Sequence, residues 1–294
     1  MDQAIGLREM MNKTKRPLRV IGVASGKGGV GKSNISANLA VLASRAGMRT
    51  LIIDADLGLA NVEVLYGIKP QYHLGHVLEW GMPIQEVIAT GPEGVRVLPA
   101  GSGIQSLTRL DDAQKLKLVT ALEQLEDSVD LVLVDTGAGI GDNVVFFIGA
   151  TQEALLVVNP EPTSLTDAYA MVKVLSLQAG TRFFNVVVNC SPNDGQAKDI
   201  FQKLSNVASR FLDVKLRFLG WVPRDENVHR SVMAQQPIVM SFPNSPASRA
   251  LNATAHQLFS EPPPYSLDGG MKLLWSRLFK DSHQAQNAPA VVAG

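Results

Sequence analysis

Short runs that are apolar at almost every position recur along the chain at 20–23, 50–54, 129–134, 154–158, 184–188 and 216–222. A run of four to seven apolar residues with no polar alternation is the mark of a strand buried on both faces, as in a parallel sheet. Between the runs, stretches of 12 to 16 residues carry apolar positions every three or four residues, at 34–45, 111–125, 165–177 and 196–211. That period predicts helices with one face on a core. A further short strand is predicted over 94–99, and two more helices after Glu226. Strand and helix alternating through some 240 residues predict an α/β fold, a mainly parallel twisted sheet with helices on both faces.

The first strand runs into Ala24-Ser25-Gly26-Lys27-Gly28-Gly29-Val30-Gly31-Lys32-Ser33. The spacing G-x-x-x-x-G-K-[ST] between a strand and a helix is a phosphate-binding P-loop. Gly26, Gly28, Gly29 and Gly31 let backbone N–H groups, with that of Val30, turn inward around phosphate oxygens, and the following helix adds its positive end. Lys32 is placed to reach the β- and γ-phosphates of ATP, and the Ser33 hydroxyl to ligate Mg2+. Lys27 is a second lysine directly after the first glycine, where it points away from the phosphates of its own loop. Supplied in trans, such a cation acts as an arginine finger does, on charge that develops during phosphoryl transfer.

The strand at 50–54 delivers Asp54, Asp56 and Asn61 to the carboxyl edge of the sheet, where open α/β folds bind ligands. Two carboxylates and an amide there suit a magnesium shell and an attacking water. The run 129–134 ends in Asp135, the form of a Walker B strand, and glycines at 137, 139 and 141 allow the next loop to rearrange. The strand at 184–188 ends at Asn189-Cys190; the amide could read an adenine edge, and Cys190 is expected to be a small buried hydrophobe. Ser164 or Thr163 is expected to cap the helix over 165–177. His73 and His76 share a helical face without further ligands and are taken as surface histidines.

The two ends differ from this core. Over 1–19, five basic residues stand against two acidic ones, a net +3, and Ala4, Leu7 and Met11 would share one face of a short helix. Residues 261–270, with Pro262-Pro263-Pro264 and Gly269-Gly270, form a linker. Beyond it, at 271–281, Met271, Leu274, Trp275, Leu278 and Phe279 fall within an arc of about 140°, opposite Lys272, Arg277 and Lys280. Such a helix suits an anionic membrane surface, and docking on the protein's own body is the other reading. Residues 282–294 have the composition of a disordered tail.

Composition narrows the classes. The chain of 294 residues is 46% hydrophobic and balances 27 basic with 27 acidic residues, so no overall field draws it to nucleic acid. Its single cysteine excludes an intrachain disulfide or a Cys-x-x-Cys cluster site. No signal-peptide pattern and no apolar run of about 20 residues occurs, so a cytoplasmic protein with peripheral membrane contact is expected.

On these residues the chain resembles the MinD/ParA ATPases, whose K-G-G-V-G-K-[ST] loop it carries at 27–33, and within them the flagellar number regulators of the FlhG/FleN (YlxH) type. The narrower match rests on D-Q-A-x-x-L-R at Asp2, Gln3, Ala4, Leu7 and Arg8, on D-A-D-L-G-L-A-N at 54–61, on D-T-G-A-G-I-G-D at 135–142, and on E-P-T-S-L-T-D-A-Y-A at 161–170. The resemblance implies a three-layer P-loop NTPase of the SIMIBI type over 19–260. It implies that Lys27, Lys32 and Asp56 are catalytic, with Asp56 orienting the attacking water. Asp54 and Asp135 would join Ser33 in the magnesium shell, and Asn189, Pro223, Arg224 and Asp225 would hold the base. Lys27, Asn61 and Glu161 would lie at the interface of an ATP-closed homodimer. The segment 1–18 would activate a partner GTPase, FlhF, with Gln3 positioning water. Flagellar C-ring proteins and a transcriptional activator of flagellar genes are further implied partners. A MinD-like division-site ATPase, a ParA-like DNA-partition ATPase and a nitrogenase-reductase-like or iron–sulfur carrier enzyme are the competing readings; neutral charge disfavours the second and the single Cys190 nearly excludes the third.

Overall fold

The computed structural model describes residues 18–264 except 59–60, 102–106 and 108. The amino-terminal residues Asp2, Gln3, Ala4, Leu7 and Arg8 and the carboxyl-terminal Met271, Leu274, Trp275, Leu278 and Phe279 lie outside the described residues.

The elements are β1 (Arg19–Ala24), α1 (Lys32–Arg45), β2 (Thr50–Ala55), α2 (Val62–Tyr66), α3 (Leu74–Trp80), α4 (Ile84–Val87), β3 (Ala89–Thr90), β4 (Arg96–Leu98), α5 (Asp112–Glu123), β5 (Leu131–Thr136), α6 (Asp142–Gly149), β6 (Glu153–Val158), α7 (Pro162–Gln178), β7 (Phe183–Ser191), α8 (Asp194–Phe211), β8 (Lys215–Pro223), α9 (Glu226–Met233), α10 (Ile238–Ser241) and α11 (Pro246–Ser260). The strands form one eight-stranded sheet in the order β3-β4-β2-β5-β1-β6-β7-β8. Every pairing is parallel except the short edge pair β3 with β4.

Alternation within each strand divides the core. In β2, Leu51 and Ile53 pack under α3, α5 and α6, while Ile52 packs under α1 and α11. In β6, Leu156 and Val158 lie toward α7 and α8 and Leu155 and Val157 toward α1. The interior residues of these strands are buried throughout, which is why they read as unbroken apolar runs.

Register then sets the site. Val23 pairs with Asp135 across β1 and β5, and Asp54 pairs with Asp135 across β2 and β5. The P-loop and both strand-end carboxylates therefore reach the same edge of the sheet at the same height.

Several local expectations are corrected. Helix α1 begins at Lys32, two residues early, directly from Gly31 in the left-handed region at φ 90°. Helix α7 begins at Pro162, with Glu161 at the N-cap position and no side-chain cap; proline at the first position starts the helix earlier than Ser164 would. The Ser164 hydroxyl accepts the Asn159 N–H at 3.0 Å instead. Cys190 is exposed, with φ 55°, at an irregularity where β7 slips register against β8 between Asn189 and Ser191. His73 and His76 are half-buried, and they cap α3.

Candidate nucleotide site

Lys32 and Asp135 meet under the P-loop. Lys32 Nζ donates to Asp135 Oδ1 at 3.0 Å, and the two side chains are 7% and 0% exposed. Ser36, one turn along α1, donates its hydroxyl to the same Oδ1 at 2.8 Å. The other oxygen, Asp135 Oδ2, is buried with no hydrogen-bond partner among the described residues. An orphaned carboxylate oxygen in a dry site is costly unless something comes to it. A hard cation fits it, and the Ser33 hydroxyl stands 3.5 Å from Lys32 Nζ in the same corner. Among the described residues no set of three His, Cys, Asp or Glu is arranged to hold a metal by protein ligands alone.

Asp54 is occupied otherwise. Its Oδ1 accepts the Asp56 N–H at 3.1 Å, and its Oδ2 accepts the N–H groups of Asn61 at 2.9 Å and Val62 at 3.0 Å. Burial, with the Asp135 charge beside it, pushes its carboxyl up to about 8, and the backbone N–H groups oppose the shift. What Asp54 does in this structure is fold the turn that carries Asp56 and Asn61. Asp56 in turn lies beside Gly137 and receives Asn61 Nδ2 at 3.5 Å. A cleft of about 490 Å³ opens there, lined by Asp56, Gly58, Arg109, Gly137, Asp142 and Asn143. It adjoins the loops that follow β2 and β5.

The loop itself is braced from behind. A side chain at Gly26 would collide with the Asp167 backbone of α7, so only glycine lets that helix approach. Gly31 is equally confined, against the Asn189 amide. Asn189 Nδ2 donates to Val30 O at 2.7 Å, so in this structure its amide holds the loop. Asn159, directly after β6, faces the same two carbonyls: with its amide turned so that the nitrogen points to them, it donates to Val30 O at 3.3 Å and Asn189 O at 3.2 Å. The following loop is tied in by Gly139 N–H on Ser25 O at 2.9 Å.

Lys27 turns outward. Its Nζ pairs with Glu161 Oε2 at 2.9 Å, with the two side chains 45% and 54% exposed. The hydrogen bond and charge of Glu161, with a smaller contribution from Asp167, raise the ammonium above its ordinary range. Of the residues expected at the base, Pro223 closes β8, and Asp225 caps two helices: Oδ1 accepts Asn227 N–H at 2.9 Å and Oδ2 accepts Ala247 N–H at 3.1 Å. Arg224 lies between them.

Sequence reading missed Ser36 and Asn159. Ser36 stands four residues after Lys32, the spacing that puts both on one helix face, and Asn159 follows β6 directly while Asn189 lies near the end of β7. Both signals were present as positions, without a motif to mark them.

The comparisons agree with this geometry. The family model described as ParA, NUBPL iron-transfer P-loop NTPase, matches residues 17–259. The antiactivator FleN of Pseudomonas aeruginosa is 44% identical over 262 residues, 89% of this chain and 94% of its own length. The flagellum site-determining protein YlxH of Helicobacter pylori is 32% identical over 291 residues, covering 95% and 98%. Among solved structures, the cell division ATPase MinD of Pyrococcus furiosus superposes with TM-score 0.70 at 27% identity, over 82% of this chain and 98% of that one. MinD of Pyrococcus horikoshii, solved with Mg-ADP, gives 0.70 at 27%, over 82% and 96%.

Proposed function

Because the chain belongs to the ParA/MinD family of P-loop ATPases, and within it to the FlhG/FleN group, we propose that it is an ATP-dependent dimerising switch that controls flagellar number and placement. The observation that carries the switch is the division of labour between two lysines of one loop. Lys32 is buried toward its own phosphate corner, while Lys27 stands at the surface on an acid that a partner's phosphates could replace.

In this reading two protomers close face to face over two ATP molecules. The P-loop N–H groups and Lys32 hold the phosphates, and Lys27 leaves Glu161 to reach the nucleotide of the partner subunit. Ser33 and Asp135 would hold Mg2+, which when bound screens charge on the β- and γ-phosphates. Asp56, held by Asp54 and Asn61, orients the attacking water. Loss of the γ-phosphate frees the 137–141 loop, and the dimer opens. The test is light scattering with ATP and with ADP. Wild type is expected to dimerise with ATP only. Lys27→Ala is expected to stay monomeric and lose turnover while it keeps nucleotide; full turnover by the variant would sink the reading.

The finer reading assigns residues 1–18 to activation of the FlhF GTPase, 271–281 to an anionic membrane surface, and further contacts to flagellar C-ring proteins or a flagellar transcriptional activator. It rests on the FlhG/FleN relation and on Asp2, Gln3, Ala4, Leu7 and Arg8. A peptide covering residues 1–19 is expected to raise GTP turnover by FlhF, and a Gln3→Ala peptide to lose most of that effect. With an active GTPase and no stimulation by either peptide, the division-site reading gains equal standing. MinD proteins stand among the similar structures at 27% identity, so that second reading has its own support.

A further inference from the structure

The hydroxyl of Ser36 is fully buried and makes two contacts, to Lys32 O at 3.1 Å and to Asp135 Oδ1 at 2.8 Å. A hydroxyl has one proton, and the shorter contact to a carboxylate is the one that takes it. Asp135 Oδ1 thus receives two donors, Ser36 and Lys32, while Oδ2 receives none.

The two donors differ in one respect. Lys32 is the P-loop lysine, and phosphate oxygens of a bound nucleotide would compete with Asp135 for its ammonium. Ser36 sits on the inner face of α1, makes no approach to the loop's open side, and has no reason to move. From this geometry we infer that Ser36 is a positioning residue for the metal acid. When Lys32 turns to the nucleotide, Ser36 keeps Oδ1 of Asp135 occupied and so keeps Oδ2 aimed into the magnesium corner.

The requirement is physical. A carboxylate on a strand end can rotate about its Cα–Cβ and Cβ–Cγ bonds, and a metal held through few protein oxygens gains from each one already oriented. Outer partners of metal ligands are worth about 10- to 100-fold in metal affinity when removed. Ser36 does not touch the nucleotide in this arrangement, so its loss acts on the metal and leaves nucleotide binding alone.

The inference rests on the Mg2+–nucleotide reading of the site, and the experiment separates the two. The full chain is loaded with a fluorescent N-methylanthraniloyl ADP, first in EDTA and then across a Mg2+ titration. Ser36→Ala is expected to bind the labelled ADP in EDTA within about twofold of wild type and to need about tenfold more Mg2+ for half-saturation. Ser36→Cys, nearly isosteric but a weak donor, is expected to fall between the two. Thermal unfolding without nucleotide or metal confirms that each variant is folded. An unmoved Mg2+ half-saturation in Ser36→Ala overturns the inference while leaving the nucleotide site intact. A parallel loss of ADP affinity in EDTA also overturns it, because that is the mark of a packing role. Absence of any Mg2+ effect on the wild type overturns the inference and the metal reading together.

Discussion

Asp54 and Asp56 stand two residues apart and have opposite environments. Asp54 is fully buried and accepts three backbone N–H groups; Asp56 is half-buried and opens onto the cleft beside Gly137. A residue that orients water must keep an oxygen free at the surface of the site, and of the two only Asp56 does. Asp56→Ala is therefore expected to bind ATP and remain a dimer, with turnover reduced by about 10²-fold or more, the range for a positioned acid–base group. Size-exclusion chromatography with ATP and a phosphate-release assay check both halves, and a monomeric elution with ATP counts against the role. At this scale the placement of the P-loop, Asp56 and Asp135 at one edge of the sheet was legible, because motif and strand end coincide. The duties of Asp54, Asn189 and Asp225 were not, since a side chain spent on backbone N–H groups looks the same in sequence as one waiting for a ligand.

The elements that sequence missed are those too short to show a period. Helices α2, α3 and α4 hold five, seven and four residues, and β3 two; a 3.6-residue repeat needs about eleven residues to declare itself. Helix α3 is held by its cap. The His73 Nδ1 atom accepts the Gly75 N–H at 3.1 Å, and His76 Nδ1 accepts the His73 N–H at 3.3 Å. The His73, His76 and Trp80 rings stack edge to face, with centroids 4.1 and 4.6 Å apart. Burial, helped by His76 and opposed by Glu79, lowers the His73 ring below its ordinary value. A base lowered in the folded state binds more protons when unfolded, so stability is lost as pH falls through about 6.5, and protonation of Nδ1 also removes the cap. His73→Asn keeps a capping oxygen and cannot titrate. Its melting temperature is expected to vary less than that of wild type between pH 7.5 and 5.5, by differential scanning calorimetry. Equal slopes would assign the pH dependence elsewhere.

At the scale of the described molecule, the nucleotide corner and the two points where the described residues begin and end occupy opposite edges of the sheet. The strands are about 20 Å long, their carboxyl ends carry the P-loop and Asp135, and their amino ends carry Leu18 and the exit at Pro264. Arg19 joins the two exits: its guanidinium pairs with buried Glu153 at 2.7 Å and donates to Leu258 O at 2.6 Å and Glu261 O at 2.8 Å. The segment leaving α11 at Glu261 is thus fastened to β1, and Pro262 and Pro263 form part of the wall of a cavity of about 820 Å³. Among the described residues no helix is long and apolar enough to cross a membrane; in the function proposed above, membrane contact is assigned to the apolar arc of 271–281, which lies outside the described residues. Five apolar side chains at about 1.5–3 kcal/mol each, discounted for partial insertion, would have to order eleven residues at about 1–2 kcal/mol apiece. One copy of 271–281 is marginal on that account, and two copies on one dimer gain through effective concentration. Wild type is therefore expected to sediment with phosphatidylglycerol-containing liposomes in ATP and to stay largely in the supernatant in ADP. Trp275→Glu puts a charge in the middle of the apolar arc, and it is expected to abolish sedimentation in ATP while leaving the dimer intact by light scattering. Because that variant keeps the nucleotide switch, retention on liposomes at wild-type affinity would move the anchor off this helix.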